Sequence, residues 1–321
     1  MKAIVYHKYG SPDVLELQEV DKPVVGDDDI LVRVRASSAN PLDWHFLRGK
    51  PYAMRLFSGL LRPKSNRLGV DLAGEVEAVG RNVTQFSPGD EVYGAANGSY
   101  AEYVCASPDA LVPKPSNLSF EQAAAVPIAA WTALQFLRDK GRIQSGHKVL
   151  VNGASGGVGT FAVQIAKSLG ADVTGVCSTK NVEMVRSIGA DHVFDYTRED
   201  FTRGERRHDL VFDTIGNHSL FEVRRTMAAD GVLLMVGGPD GRWLGPLAYM
   251  LKTLASAPFA SQKVASYTAR RNREDLRFLN ELFEAGKVTP VIDRQYSLSD
   301  VPEAIGYLEE GHARGKVVIT V

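Results

Sequence analysis

The sequence predicts an α/β protein with two domains, one rich in short β-strands and one built on a doubly wound parallel sheet. Three observations lead to this fold class. Short apolar runs separated by turn signals fill roughly the first 120 residues, strands alternate with helical patterns from Ser119 onward, and 321 residues are enough for two sizeable cores. Strand-like runs return after Gly286. We therefore expect one domain to comprise residues 1–120 and 286–321, and the other residues 121–285.

The β-rich domain is predicted from six short runs that are divided by Gly, Pro and Asn-Gly turns. These runs are residues 3–6, 15–19, 30–37, 74–79, 91–94 and 99–105. Near the C-terminus, residues 288–296 and 316–321 are also typical of strands and flank a helical pattern at residues 301–310. The C-terminal segment is therefore expected to cross back and complete this domain.

The second domain is predicted from five strands that alternate with segments long enough for helical crossovers. The strands are residues 149–152, 172–177, 192–195, 210–213 and 233–236. Apolar residues at helical spacing predict helices at residues 120–126, 131–137, 160–169 and 181–188. Alternation of this kind is typical of a parallel, doubly wound sheet.

A glycine-rich turn at residues 149–159 joins the first of these strands to a helix. It reads Val-Leu-Val-Asn-Gly-Ala-Ser-Gly-Gly-Val-Gly and resembles a turn that receives the pyrophosphate of a dinucleotide. Gly156 would let the backbone approach the phosphates, and Gly159 would let the helix pack close to the strand. Ala154 takes the place of the first glycine of the commonest fingerprint. A turn that serves packing alone is the alternative.

The end of the next strand bears on which dinucleotide binds. A cofactor without a 2′-phosphate calls for Asp or Glu at this point, to accept hydrogen bonds from the ribose hydroxyls. The chain instead continues from Cys177 with Ser178, Thr179 and Lys180, which offer two hydroxyl donors and a positive charge. We therefore expect NADPH rather than NADH. A solvated lysine is the alternative interpretation of Lys180.

Charge and cysteine content exclude several classes of protein. The formal net charge of −1 gives no long-range attraction to nucleic acid, so no nucleic-acid partner is expected. Cys105 and Cys177 lie in separate apolar stretches, which indicates buried thiols in a reducing compartment. The N-terminus begins directly as a strand, without the apolar run of a signal peptide or membrane span. We therefore expect a cytoplasmic location.

Nearly the whole chain carries motifs in a family-specific order, at residues 38–43, 69–74, 86–92, 130–133, 152–159, 188–193, 195–197 and 314–318. With these motifs the chain resembles the zinc-independent quinone oxidoreductase group of the medium-chain dehydrogenase/reductase superfamily. The resemblance implies a GroES-like β-rich domain and a Rossmann domain, with the active site in the cleft between them. It also implies a homodimer.

Zinc-dependent members of this superfamily carry three catalytic metal ligands. The resemblance places those ligands at Asn40, at Val70 and near residues 127–129, where this chain has no thiol, imidazole or carboxylate. Asp71 alone cannot hold a metal, and the four-cysteine structural zinc lobe that would follow Gly94 is missing. We therefore expect no metal, which disfavours an alcohol dehydrogenase.

Without a Lewis acid, hydride adds readily only to a polarised, conjugated acceptor, such as a quinone or an α,β-unsaturated carbonyl compound (an enal). Asn40 and Tyr52 are the candidates to donate hydrogen bonds to the acceptor oxygen. Their spacing is one residue longer than in the family, so Tyr52 as an aromatic wall is the alternative. Asp43 is a third catalytic candidate, for which capping or pairing with Arg48 is the alternative.

The resemblance also implies a set of cofactor-binding residues. Tyr196 is expected to close over the adenosine 2′-phosphate beside Lys180. Lys316 is expected to reach the cofactor phosphates, with a solvated edge lysine as the alternative. The full set is Thr132, Ala154, Ser155, Gly156, Gly157, Val158, Gly159, Ser178, Thr179, Lys180, Tyr196, Ile215, Gly216, Val236, Gly237, Gly238 and Lys316.

Two apolar stretches depart from the simplest members of the group. Residues 55–67 set apolar residues among four basic ones, and residues 243–254 are strongly apolar. Each is interpreted either as a lid over the cleft or as a weak contact with a membrane surface, where lysine and arginine around an apolar tip are favourable. The second stretch is too short to span a bilayer.

These observations predict an NADPH-dependent, zinc-independent reductase of small-molecule quinones or enals. The alternative is a non-catalytic NADPH-binding sensor, or a membrane-associated partner protein, that keeps the fold without turnover. The glycine-rich turn and Asn40 favour the enzyme. Acceptor pockets are built from variable loops, so these motifs predict a class of acceptor and not one compound.

Overall fold

The computed structural model describes residues 1–237 and 262–321. The chain divides into two compact units, Met1–Trp131 with Arg270–Val321, and Thr132–Ala269. Gly238 and residues 243–254, which the sequence singled out, lie outside the described residues.

Strands and helices are numbered in chain order over the described residues. The strands are β1 (Lys2–Val5), β2 (Glu16–Glu19), β3 (Ile30–Ala39), β4 (Asp71–Val79), β5 (Glu91–Ala95), β6 (Tyr103–Ala106), β7 (Leu111–Pro113), β8 (Lys148–Asn152), β9 (Asp172–Cys177), β10 (His192–Asp195), β11 (His208–Asp213), β12 (Met227–Met235), β13 (Lys263–Ser266), β14 (Ile292–Ser297) and β15 (Lys316–Thr320). The helices are α1 (Pro41–Arg48), α2 (Arg55–Ser58), α3 (Phe120–Ala124), α4 (Pro127–Gln135), α5 (Gly157–Ser168), α6 (Val182–Ser187), α7 (Leu220–Arg224), α8 (Arg273–Glu284) and α9 (Val301–Glu309).

The first unit is built on a seven-stranded sheet in the order β14-β15-β3-β4-β5-β7, with β6 also paired to β3. Central strand β3 pairs with β4, β6 and β15, and most of its side chains are buried. β15 runs antiparallel to β3 with Val317 opposite Ala39, so the C-terminal strand completes this unit as predicted. β1 and β2 form a separate antiparallel pair. The predicted GroES-like, β-rich domain is therefore confirmed.

The second unit has a six-stranded sheet in the order β10-β9-β8-β11-β12-β13, and every strand pair in it is parallel. The chain order reverses between β8 and β11, and ligands of doubly wound sheets bind at the carboxyl ends of the strands beside such a switch point. The predicted Rossmann sheet is confirmed. The sequence missed β13, because its residues Lys-Val-Ala-Ser contain no apolar run, and it also missed the three-residue β7 of the first unit.

The predicted helix at residues 131–137 begins earlier, as α4, and ends in a π-helical turn at Phe136–Lys140. The compact units divide inside α4, whereas the sequence placed that boundary at residue 120. The chain returns to the first unit at Arg270, before α8, whereas the sequence placed this return at residue 286, after that helix. The reason is packing: α3 contacts β3 and β4, and α8 contacts β7, so both helices belong to the first unit.

No helix among residues 1–237 and 262–321 is both long and apolar enough to cross a membrane.

Candidate functional site

The glycine-rich turn lies at the carboxyl end of β8 in the second unit. Gly153 adopts φ +85°, a left-handed conformation that favours glycine. Its amide and that of Ala154 donate to Val176 O of the neighbouring strand β9 (3.2 and 3.0 Å), and Gly156 N donates to Gly153 O (3.0 Å). The turn is thus fastened to the sheet before α5 begins at Gly157.

Two glycines of this turn have different reasons to be glycine. A Cβ on Gly159 would lie 2.0 Å from Gly153 O, so the close approach of α5 to the turn excludes any side chain there. Among the described residues, a Cβ on Gly156 would meet only Gly153 O, at an ordinary 3.5 Å. The protein itself therefore leaves space at Gly156, and this space is what a phosphate group approaching the backbone needs.

The first turn of α5 is suited to an anion. Its N-cap, Gly156, has no side chain to occupy the free amides, and the helix is twelve residues long. Free amides and the positive end of the helix dipole both favour negative charge at this position. Together with the space at Gly156, this arrangement fits the pyrophosphate of a dinucleotide.

The carboxyl ends of β8 and β11 are held together by a polar pair that sequence reasoning did not include among the site residues. Asn152 Nδ2 donates to Asp213 Oδ1 (2.9 Å), and the same oxygen accepts from the amides of Ile215 and Gly216 (each 3.0 Å). Gly216 has φ +67°. The signal that could have identified Asp213 is its place at the end of a buried strand just before a glycine turn.

The predicted residues at the end of β12 lie against this turn. Val236 and Gly237 donate their amides to Asp213 O (2.9 and 3.1 Å), and a Cβ on Gly237 would lie 2.0 Å from Thr214 O. Ile215 is exposed beside them. The structure therefore brings together the predicted residues 215, 216, 236 and 237 at the carboxyl edge of the sheet.

At the end of β9 the structure corrects one prediction. Thr179 does not offer its hydroxyl to a ligand, because its Oγ1 donates to Asp195 Oδ2 (2.6 Å) and contacts Thr197 Oγ1 (2.8 Å). A carboxylate is therefore present beside the end of β9, although no Asp or Glu comes directly after that strand. It belongs to Asp195, which ends the neighbouring strand β10, opposite Cys177.

Hydrogen bonds from Thr179 and Thr197 lower the pKa of Asp195, so its carboxylate is ionised at neutral pH. Arg198 Nε, 3.4 Å from Oδ2, offsets part of that charge. Lys180 and Tyr196 are both exposed, and no described residue forms an ion pair with Lys180. The exposed ammonium thus remains available at this edge for a phosphate.

In the first unit, a buried polar cluster lies where β3, β4 and β15 meet. Lys316 Nζ donates to Asn40 Oδ1 (2.5 Å) and to Asp71 Oδ2 (3.3 Å). Asn40 Nδ2 donates to Asp71 Oδ2 (2.8 Å) and to Ser38 O (3.3 Å). All of these side chains are almost wholly buried.

This cluster corrects the roles predicted for Asn40 and Lys316. Both amide hydrogens of Asn40 are used inside the first unit, so they are not available to an acceptor oxygen. The ammonium of Lys316 is 3% exposed and bound to Asn40 and Asp71, so it is neither a solvated edge lysine nor free to reach cofactor phosphates. Strand spacing alone does not reveal that a lysine so near the C-terminus has a buried carboxylate partner.

Asp43 is the N3 residue of a capping box at the start of α1. Its Oδ2 accepts from Asn40 N (2.8 Å) and from Tyr100 OH (2.9 Å), and its Oδ1 accepts from Gly69 N (3.3 Å). Burial raises the pKa of Asp43 to about 7, although the bonds from Asn40 and Tyr100 lower it. Capping is therefore the observed role, and Arg48 pairs with Glu309 instead.

Tyr52 begins a short 3-10 turn, Tyr52–Met54, and is half-buried. The guanidinium of Arg55 lies 4.8 Å from the centre of its ring. Whether its hydroxyl acts on a substrate stays a prediction. Thr132, in α4, is likewise half-buried.

Across residues 1–237 and 262–321, no three His, Cys, Asp or Glu side chains lie close enough together to hold a metal ion. Zinc independence stays a prediction that rests on the side chains at Asn40, Val70 and residues 127–129.

We predict that the Asp43→Asn variant will change the pH dependence of stability. The folded protein holds the Asp43 proton more tightly than the unfolded chain, whose pKa is near 3.8. This contribution is therefore present at low pH and is lost as pH rises towards 7. The stability difference between the natural protein and the variant should change by about 2 kcal/mol between about pH 5 and pH 7, and level off above about pH 8. Thermal denaturation across this range measures it, and parallel curves would contradict the shifted pKa.

We predict opposite effects of alanine at the two glycines of the turn. Gly156→Ala should leave the melting temperature nearly unchanged and weaken dinucleotide binding at least tenfold, because the added methyl group meets little protein but occupies the phosphate space. Gly159→Ala should destabilise the protein by roughly 1–3 kcal/mol through overpacking. Thermal melts and nucleotide titrations distinguish the two. Full nucleotide affinity in Gly156→Ala would exclude the turn as the phosphate site.

Two family models match the chain. Residues 26–116 match the model described as "Alcohol dehydrogenase GroES-like domain", and residues 188–319 match the one described as "Zinc-binding dehydrogenase". The first matched segment contains strands β3 to β7 of the first unit. The second begins just after α6 in the second unit and ends within β15 of the first unit.

Similar proteins cover almost the whole chain. A "2-methylene-furan-3-one reductase" of Solanum lycopersicum is 35% identical over 336 residues, 99% of this chain and 79% of its own length. An "NADPH-dependent alkenal/one oxidoreductase, chloroplastic" of Arabidopsis thaliana is 33% identical over 338 residues, with the same coverage. The solved quinone oxidoreductase from Coxiella burnetii superposes with a TM-score of 0.88 at 33% identity and covers 100% and 99% of the two chains. The chain therefore belongs to the medium-chain dehydrogenase/reductase superfamily, in its group of quinone and alkenal oxidoreductases.

Proposed function

We propose that this protein reduces quinones or α,β-unsaturated carbonyl compounds with NADPH, without zinc. The observation that carries the proposal is the glycine-rich turn, which leaves room for a phosphate at Gly156 while Gly159 is packed tightly against it. The names of the Solanum, Arabidopsis and Coxiella relatives support the acceptor class and the cofactor. A homodimer and a cytoplasmic location remain predictions.

When bound, the nicotinamide ring supplies the hydride. The amides at the start of α5 and the space at Gly156 would hold the pyrophosphate. The turn at residues 213–216 and the end of β12 form the carboxyl edge of the sheet, where residues of this fold line the nicotinamide side. These groups bind and orient the cofactor. With Asn40 engaged elsewhere, Tyr52 is the remaining candidate to donate to the acceptor oxygen.

The proposed preference for NADPH rests on Lys180, with Ser178 close to it in sequence and Tyr196 at the end of the neighbouring strand β10. The ammonium of Lys180 is exposed and has no ion-pair partner in the described residues. The nearby carboxylate of Asp195 accepts hydrogen bonds from Thr179 and Thr197 and lies beside Arg198. Its negative charge is therefore partly compensated. A phosphate on the ribose 2′-oxygen would form an ion pair with this cation, whereas the two uncharged hydroxyls of NADH would not.

The experiment that tests the function measures NADPH consumption with a panel of quinones and enals. We expect turnover with members of at least one class, and turnover that is unchanged by a chelator. Binding of NADPH without turnover on the whole panel would favour the non-catalytic sensor. Loss of activity on chelation, restored by zinc, would overturn zinc independence.

We predict that Lys180→Ala will weaken NADPH binding by about 1–3 kcal/mol and leave NADH binding nearly unchanged, because the charge contact is made only with the 2′-phosphate. Lys148→Ala is the matched control: Lys148 is also exposed but begins β8, at the opposite edge of the same sheet. Equal losses for both cofactors would mean that Lys180 supports the fold instead.

We also propose that an apolar tip, defined as Leu56, Phe57, Leu60 and Leu61, contacts an anionic membrane surface. All four side chains are exposed, Phe57 to 81% and Leu61 to 86%. Residues 44–70 contain six Lys and Arg and no Asp or Glu. Exposed apolar side chains surrounded by basic ones fit the boundary between anionic headgroups and acyl chains.

The apolar tip is held in place by hydrogen bonds. Gly59 N donates to Arg55 O (2.9 Å), Lys64 N donates to Ser58 O (2.7 Å), and Tyr9 OH donates to Gly59 O (2.6 Å). These bonds fix the backbone of the loop around the tip. The apolar side chains could therefore meet a membrane without further ordering of that backbone.

We predict that Phe57→Ser will weaken binding to vesicles of phosphatidylcholine and phosphatidylglycerol by roughly tenfold, because it removes a large apolar side chain from the contact. Phe221→Ser is the matched control, since Phe221 is also 74% exposed but lies on α7. Vesicle sedimentation measures both. No binding of the natural protein, or equal losses in the two variants, would contradict the membrane contact and leave the tip as a lid.

A further inference from the structure

Asn181 has an unusual set of partners next to the glycine-rich turn. It ends the 3-10 turn Thr179–Asn181 after β9, and its side chain is 5% exposed. Its Nδ2 donates to Ser155 Oγ in the glycine-rich turn (3.1 Å) and to Ser178 Oγ (3.2 Å). Its Oδ1 is buried and accepts no hydrogen bond from the described residues. Leaving a buried carbonyl unpaired is unfavourable, so this orientation of the amide calls for an explanation.

The explanation lies in what the amide does to the two serine hydroxyls. A hydroxyl can donate one hydrogen bond and accept two. Because Ser155 Oγ and Ser178 Oγ each accept a hydrogen from Asn181, the hydrogen of each hydroxyl is directed elsewhere. No described residue accepts either of these hydrogens. Asn181 thus holds two free hydroxyl donors, one in the pyrophosphate turn and one where the ribose of a dinucleotide lies in this fold.

We propose that Asn181 is a positioning residue for the adenosine half of NADPH. It orients the Ser155 hydroxyl towards a pyrophosphate oxygen and the Ser178 hydroxyl towards the 2′-phosphate. The opposite amide orientation would have both serines donating to Oδ1, and neither would have a hydrogen left for a phosphate. This inference rests on the proposed binding of NADPH and assigns a role to a residue that makes no direct contact with the phosphates.

A purely structural bridge between the turn and the end of β9 is the competing account, and Asn181→Asp separates the two. Aspartate has the same size and can still bond to both serines, but it only accepts, so it draws both hydroxyl hydrogens inward. A structural bridge would therefore tolerate Asp better than Ala. A positioning residue would tolerate Asp worse, because the donors are lost and a negative charge is added.

The experiment titrates each variant with NADPH and with NADH, by calorimetry or cofactor fluorescence, and checks folding by thermal denaturation. We expect about tenfold weaker NADPH binding in Asn181→Ala and a larger loss in Asn181→Asp. We expect Ser155→Ala to weaken both cofactors and Ser178→Ala to weaken NADPH alone. In a Ser155→Ala/Ser178→Ala background, Asn181→Ala should change NADPH affinity less than about twofold, because its effect passes through the serines.

An equal loss from Asn181→Ala in both backgrounds, or better binding by Asn181→Asp than by Asn181→Ala, would overturn the inference. If Asn181→Ala does not fold, Asn181→Asp decides by the same comparison: charge repulsion alone would weaken NADPH binding equally in the natural and the Ser155→Ala/Ser178→Ala backgrounds, whereas positioning predicts a larger loss in the natural one. The outcome for catalysis is separate: NADPH binding with the predicted pattern but no turnover would refute the reductase and leave the role of Asn181 intact. Failure of the natural protein to bind NADPH would overturn both.

Discussion

The first unit depends on the buried carboxylate of Asp71. Its Oδ1 accepts from Ile128 N at the start of α4, and its Oδ2 accepts from Ser38, Asn40 and Lys316. A charge this far from water is tolerated only when it is paired and hydrogen-bonded, and removing one partner of such a pair costs about 3–5 kcal/mol. Because Lys316 lies on β15, this pairing also fixes the C-terminal strand against β3. The cluster therefore explains why the chain must return to its first unit.

The second unit is governed by a different constraint. Its glycine-rich turn is closely packed where it meets the protein, and it leaves space and hydrogen-bond donors where a ligand would lie. Gly159 is required by the approach of α5 to the turn, whereas no atom of residues 1–237 and 262–321 requires glycine at position 156. In the same way, the amide of Asn181 donates to two serine hydroxyls, whose own hydrogens have no acceptor in the part of the chain that the structure describes. The groups proposed to bind the cofactor in this unit are therefore those that the fold holds in place without using them in its own hydrogen bonds or packing.

This distinction also separates what the sequence could predict from what it could not. Long apolar runs and a glycine-rich turn are local signals, so the parallel sheet and the different roles of Gly156 and Gly159 were predicted. Partners far apart in sequence were not: Lys316 and Asp71 are 245 positions apart. Asp195 was missed as a neighbour of Thr179 because the two residues are 16 positions apart and are brought together only by the pairing of β9 with β10. The sequence therefore wrongly predicted ligand contacts for site residues whose hydrogen-bond donors are already bound to such protein partners.

The Asp71 cluster also bears on zinc independence. The resemblance places a zinc ligand at the position of Asn40, and in this chain that side chain accepts a hydrogen bond from the ammonium of Lys316 (2.5 Å). A buried ammonium at this point repels a divalent cation, and the oxygens of Asp71 already accept four hydrogen bonds, which leaves little capacity to bind a metal. Lys316 thus supplies the positive charge that a buried carboxylate needs here. This cation stabilises the fold and is bound within it, so the predicted absence of zinc would leave activation of the acceptor to its own conjugation.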